Sequence, residues 1–278
     1  MSVGTANVNS SQVDKRARDR AFKARRARSG ASFIVLPIIA VAVLIGLWEI
    51  LAQFTNPLFL SSPQSVARAF ANILTHGPTV SALLLSLREM YLGLVLGVTL
   101  GFTLGVFIGR FEAVSNIANP FVNVVNATPL IVAIPLLVIW TGIGMEARVV
   151  FTMLVTTFPM LLNTSAGVRN VHKGYIEVAS TLGLSERATL WKVAIPAAIP
   201  YVLAGLRSSL SLAIIGMVVG EMEVSNVGVG WLLLQYGEGL QTAFLIALLI
   251  ITSVFGVINV TTLKIVERTV FKWTTSTR

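Results

Sequence analysis

Few side chains in this sequence could do bond chemistry, and none of them is grouped for it. The two histidines, His76 and His172, are far apart, and neither has a second His or a carboxylate at metal-ligand spacing. Two scattered imidazoles cannot build a three-ligand catalytic zinc site. There is no cysteine, which excludes disulfides and thiolate metal sites and leaves the redox compartment open. No serine sits in a Gly-x-Ser-x-Gly context and no Gly-x-x-x-x-Gly-Lys-Ser/Thr run occurs. Neither a nucleophile elbow nor a phosphate-cradling loop is therefore expected. The expectation is a chain with no catalytic residue and no metal, and any ATP-driven step must be carried out by a separate chain.

What remains are polar and ionisable groups set in apolar surroundings. Glu49, Arg88, Glu89, Arg207 and Glu221 lie within long apolar stretches, where each must face protein, water or an interface. Arg88 has two readings, attraction of an anionic substrate or a snorkelling, helix-pairing role. Arg207 is expected to pair locally. Asn123, Asn126 and Thr128 lie near Pro129 and Pro135, while Thr156, Thr157, Asn163 and Thr164 flank Pro159. Proline frees backbone carbonyls that then need a partner or a wet cavity, so both stretches read as broken spans. Arg88, Asn126, Thr128, Thr156, Asn163 and Glu221 are the candidates for a substrate pathway.

These groups must be held by membrane helices. Hydrophobic residues make up 55% of the 278-residue chain and charged residues 12%, about half the share usual in soluble proteins. Six apolar segments, near 32–54, 81–109, 118–141, 146–168, 194–222 and 240–264, are long enough to cross a bilayer as helices, which takes about 20 residues. Lipid offers no partner to bare backbone, so the fold class is an all-α membrane protein. In the second span glycines recur at 93, 97, 101, 105 and 109; Gly93, Gly97, Gly101 and Gly105 read as a groove that admits another helix.

Orientation follows from Lys and Arg. Lys15, Arg16, Arg18, Arg20, Lys23, Arg25, Arg26 and Arg28 face only Asp14 and Asp19, giving six of the nine net positive charges to the tail before the first span. Next to an apolar stretch this tail reads as a cytoplasmic anchor touching anionic lipid rather than a nucleic-acid arm. The run at 32–48 is longer than a signal-peptide core and no Ala-x-Ala-like site follows promptly, so it reads as a retained first span. Inside segments then hold Arg110, Arg169, Lys173, Arg187, Lys192, Lys264, Arg268 and Lys272, and outside segments hold Arg68 and Arg148. Both termini are expected in the cytoplasm. The expected layout is a tail at 1–31, a six-span domain at 32–268 with a cytoplasmic loop at 169–193, and a second tail at 269–278.

That loop reads Glu177-Val-Ala-Ser-Thr-Leu-Gly183, then nine residues, then Val193-Ala-Ile195-Pro196. Gly183 suits a helix end with positive φ, and Pro196 suits the first turn of the next helix. Small residues such as Ala179 and Ser180 would let the loop seat in a cleft. The pattern resembles the Glu-Ala-Ala…Gly…Ile-x-Leu-Pro signature of binding-protein-dependent ABC import permeases, with Glu177, Ala179, Gly183 and Pro196 identical. Val178, Val193 and Ile195 are conservative replacements. Pro200-Tyr-Val-Leu-Ala-Gly205-Leu-Arg207, Ser86-Leu87-Arg88 with Gly93, and Glu221 with Gly228-Val-Gly230 resemble the nitrate, sulfonate, taurine and bicarbonate branch, which also includes carriers of thiamine- or riboflavin-type precursors.

The resemblance implies a type I ABC importer permease with six transmembrane helices. It implies docking of an ATPase subunit on Glu177, Ala179, Ser180, Leu182, Gly183, Leu184 and Pro196. ATP and Mg would be bound by two copies of that ATPase, and the rest of the assembly would be a second permease copy and an extracytoplasmic solute-binding protein. The implied cargo is a small anion of the nitrate, sulfonate or taurine kind. A thiamine or riboflavin precursor or an aromatic acid is the alternative within the same class, and a stand-alone secondary carrier or channel is the alternative class.

Overall fold

The structure, a computed structural model, describes residues 36–270; the two expected tails lie largely outside the described residues. The chain divides into two compact units, one ending at Ser65 and one beginning at Val66. In the first, helix α1 (Leu36–Phe54) is the first span. The Trp48 indole N–H donates to the Ser61 carbonyl at 3.0 Å, fixing the turn after the helix. Helix α2 (Pro63–Thr75) begins on a proline, whose missing N–H is harmless there.

Most of α2 belongs to the second unit, whose other described regular elements are also helical: α3 (Gly77–Arg110), α4 (Glu112–Ala127), a 3₁₀ turn (Leu130–Ala133), α5 (Ile134–Thr141), α6 (Met145–Arg169), α7 (Lys173–Thr181), α8 (Glu186–Thr189), a π turn (Leu190–Ala194), α9 (Ile195–Val224), α10 (Val229–Glu238) and α11 (Thr242–Val270). Five helices are long and apolar enough to span a membrane, and α4 with the 3₁₀–α5 segment makes the sixth candidate as a pair bent by 95°. Thr128 and Pro129 sit at that bend, both in extended conformation, as the residue before a proline prefers. The fourth span differs from expectation. Helix α6 runs unbroken through Pro159. The stretch between the fifth and sixth expected spans contains a further helix, α10.

The core is α6 gripped between α3 and α9. A Cβ built on Gly93 would stand 2.6 Å from Thr152 Cβ, on Gly105 2.7 Å from Thr164 Cβ, and on Gly109 2.8 Å from the Ser165 carbonyl oxygen. The glycine face of α3 thus lies directly on the α6 backbone, the close approach that only small residues permit. Across the other flank of α6, Gly205 faces Asn163 and Met160, and Gly216 faces Thr152. The buried hydroxyls of α6 bond mainly within their own helix: Thr156 Oγ1 donates to the Thr152 carbonyl at 2.8 Å and Thr157 Oγ1 to that of Met153 at 2.7 Å. Ser209 of α9 donates across to the Thr156 carbonyl at 2.8 Å. Met90 and Leu94 of α3 close the core with Leu210, Ala213 and Met217 of α9.

Gly101→Val should therefore cost about 2–3 kcal/mol by overpacking, because its Cβ would meet Met160 Cβ at 2.9 Å and the Leu161 backbone nitrogen at 3.1 Å. Thermal unfolding in detergent should register a clear fall in Tm. Gly237→Ala, with open space around its Cβ, should leave Tm unchanged; equal shifts for the two variants would contradict this packing.

Candidate functional site

The loop after α6 is built as a rigid knob. His172 Nδ1 accepts the Gly174 N–H at 3.1 Å and starts α7. At the other end Gly183 adopts φ +74°. The Leu184 N–H reaches the Ala179 carbonyl at 3.0 Å and the Gly183 N–H the Ser180 carbonyl at 2.9 Å. This is the paired reversal that ends helices on a left-handed residue. Ser185 Oγ then accepts the Ala188 N–H at 3.3 Å to start α8, and Arg110 at the end of α3 holds Glu186 at 3.1 Å.

Tyr175, Val178 and Leu182, spaced along one face of α7, are 60%, 60% and 73% exposed. Glu177, Ser180 and Gly183 are also exposed, and Leu184 is half-buried. Ala179 is placed differently from expectation: it is buried against the chain, so it supports the knob from within and offers no surface to a partner. Tyr175 and Val178 were missed by motif reasoning, although their three-residue spacing from each other and four-residue spacing to Leu182 mark an apolar stripe. Pro196 is exposed in the first turn of α9, and the helix reaches back to Glu186 through the π turn instead of restarting at the proline. Pro196 cannot donate to the carbonyl four residues earlier and would crowd it; the wider turn takes up that mismatch.

A second feature lies at the α4 bend. A cavity of about 400 Å³ opens there between α4, α6 and α9, with Asn126, Thr128, Phe151, Phe158, Pro159 and Ile215 among its walls. Among the described residues that line it, none is charged. Of the expected pathway residues, Asn126 and Thr128 meet here. Thr156 does not: it is fully buried beneath Gly97 and bonded to backbone carbonyls. Asn163 turns its amide onto the Pro159 carbonyl at 2.8 Å and packs against Gly205. Arg88 is exposed on α3.

Glu221 is 1% exposed and also lies off this cavity. Its Oε2 accepts the Gly230 N–H at 2.7 Å, while Ser86 Oγ accepts the Val229 N–H at 2.9 Å. Together they cap the start of α10, where free N–H groups and the helix dipole favour a carboxylate. Gly228, at φ +99°, leaves room for it, since a Cβ there would lie 2.6 Å from Glu221 Oε2. Beside this cap Arg148 forks onto Glu89, with Nε to Oε2 and a terminal nitrogen to Oε1 both at 2.6 Å. Arg148 was counted with the outside loops, yet it lies inside α6 and is buried. The available signal was that neither a lone Arg148 nor a lone Glu89 is tolerable at the edge of an apolar span. Arg207 pairs with Glu267 of α11 at 3.0 Å.

Residues 97–272 match the family described as the binding-protein-dependent transport system inner membrane component. The taurine transport system permease protein TauC of Escherichia coli (strain K12) is 29% identical over 247 residues, covering 86% of this chain and 90% of that protein. The formylaminopyrimidine transport permease protein ThiX of Halalkalibacterium halodurans is 27% identical over 247 residues, covering 85% and 95%. Among solved structures, a chain of the MetNI methionine ABC transporter in an inward-facing conformation superposes with a TM-score of 0.55 at 18% identity, covering 66% of this chain and 95% of that one, a likeness of fold. The six candidate spans, the folded loop after α6 and the family match lead to one conclusion: this chain belongs to the inner-membrane components of binding-protein-dependent transport systems, and it is a non-catalytic permease subunit of an ABC importer.

Proposed function

We propose that the α7–α8 knob is the seat of a separate ATPase and that the cavity at the α4 bend belongs to the route of a small solute. The knob carries the reading: an exposed apolar stripe of Tyr175, Val178 and Leu182 on a short helix locked at both ends. A rigid apolar anchor ringed by polar residues is what a partner cleft grips most efficiently. Two copies of this chain, two ATPases and an external solute-binding protein make the working assembly. ATP and Mg belong to the ATPases, and closure of that pair is passed through the knob to α6 and α9. The excess of Lys and Arg at the knob end supports a cytoplasmic position for that end and for both termini.

The resemblance implies two cargo classes, small anions and thiamine- or riboflavin-type precursors. An uncharged cavity wall supports the second. The overall reading is tested by reconstitution. Proteoliposomes holding this chain alone should neither hydrolyse ATP nor accumulate solute. Adding the ATPase and the loaded binding protein should yield ATP-dependent uptake. Uptake driven by an ion gradient through this chain alone would favour the secondary-carrier reading instead.

A further inference from the structure

Helix α4 carries Asn116, Asn119, Asn123 and Asn126. At about 100° per residue these four amides fall within an arc of about 80° on one side of the helix. Asn116, Asn123 and Asn126 are exposed, and half-buried Asn119 donates to Ser115 Oγ at 2.9 Å. The opposite flank is apolar, with Ile117, Phe121 and Val124 between 66% and 70% exposed. Hydrocarbon or a helix neighbour satisfies that flank. It does not satisfy a row of amides, which need water or a polar partner at membrane depth. The amide row leads directly into the cavity at the bend, through Asn126 and Thr128. At the far end of α4, about 16 Å of helix rise from Asn126, Arg169 donates to buried Ser115 at 2.7 Å; on α6, Arg148 lies one turn before Phe151 and is already neutralised by its fork onto Glu89.

We infer that this amide seam is the solute-contacting wall of the pathway and that the cargo is an uncharged, planar, hydrogen-bonding ring compound of the aminopyrimidine class. The inference rests on the permease reading above. Each asparagine offers a donor and an acceptor side by side, which matches the edge of an aminopyrimidine. Half-buried Phe158 in the cavity wall offers an aromatic surface for stacking, with Phe151 packed behind it in the core. An anion would enter this wall without a fixed countercharge, where a low-dielectric setting magnifies the deficit.

The absence of cysteine from the chain allows a direct test. Single variants Asn123→Cys and Asn126→Cys are compared with Ile117→Cys, Phe121→Cys and Val124→Cys in the reconstituted assembly with ATPase and binding protein. Methanethiosulfonate reagents bearing a sulfonate or a trimethylammonium group should label the asparagine positions about tenfold faster than the apolar ones. Corrected for their rates with free thiol, the two reagents should agree within about threefold, as an uncharged wall requires. Millimolar 4-aminopyrimidine should slow labelling at position 126, and benzenesulfonate should not. Three results overturn the inference: equal labelling of both flanks, a strong preference for the sulfonate reagent, or protection by benzenesulfonate alone, by both compounds or by neither. ATP hydrolysis stimulated by the binding protein is read in parallel. If it persists while the labelling fails, only this inference falls; if it is absent, the permease reading falls with it.

Discussion

Arg148→Met should destabilise the folded chain by about 3–5 kcal/mol, because it leaves the Glu89 carboxylate buried without its partner. The two side chains are 7% and 3% exposed and meet through two bonds of 2.6 Å, so neither has water to fall back on. The pair ties α3 to α6 beside the α10 cap. Arg148→Lys keeps the charge but loses the planar fork and should fall between wild type and Arg148→Met. The double variant Arg148→Met with Glu89→Leu should recover most of the loss, since a buried ion pair replaced by apolar groups of similar volume is often neutral in stability. Unfolding in detergent, followed by Tm and by monodisperse yield, separates these outcomes. A double variant as unstable as the single one would show that the pair acts through something other than its charge balance.

The spans were legible because hydrocarbon imposes a simple length rule, and five of them appear as single long helices. The glycine spacing on α3 pointed to a packing face for an equally simple reason: every fourth residue returns to nearly the same side of a helix. The prolines were less legible. Pro129 marks a 95° bend, whereas the helix continues through Pro159. The difference lies in the surroundings: α6 is clamped on both flanks by α3 and α9, which hold it continuous, while α4 has an exposed apolar flank and few buried residues. Sequence alone does not reveal which proline will be clamped. The polar residues sorted along the same line. Thr156 and Glu221 have the composition of pathway residues, yet Thr156 is consumed by backbone carbonyls in the core and Glu221 is buried there with one carboxylate oxygen on the Gly230 N–H. Asn126 and Thr128 stand at an open bend, so they reach a cavity. The Arg148–Glu89 bond spans 59 positions, and pairing over such a distance leaves no local pattern to read.

Leu182→Glu should weaken the grip of the ATPase by about 2 kcal/mol, roughly thirtyfold in Kd, as loss of a central apolar anchor does. The Tm of the isolated permease should not move, because Leu182 is 73% exposed and its side chain does not support the fold. Gly183 tests the shape of the knob rather than its surface. At φ +74°, with open space around a built Cβ, the barrier to substitution is backbone strain alone. Valine there should cost about 1–2 kcal/mol, loosening the reversal that aims Leu184 back at Ala179. Asparagine visits the left-handed region readily and should preserve both the turn and most of the coupling. The informative readouts are ATPase binding to the permease in detergent and solute-stimulated hydrolysis in lipid. Loss of both for Leu182→Glu and Gly183→Val, with retention for Gly183→Asn, assigns the docking energy to a preformed knob. Full binding by Leu182→Glu would remove the apolar stripe from the interface. Equal loss for Gly183→Asn and Gly183→Val would mean that the partner needs the bare glycine backbone itself, a closer contact than a supporting turn.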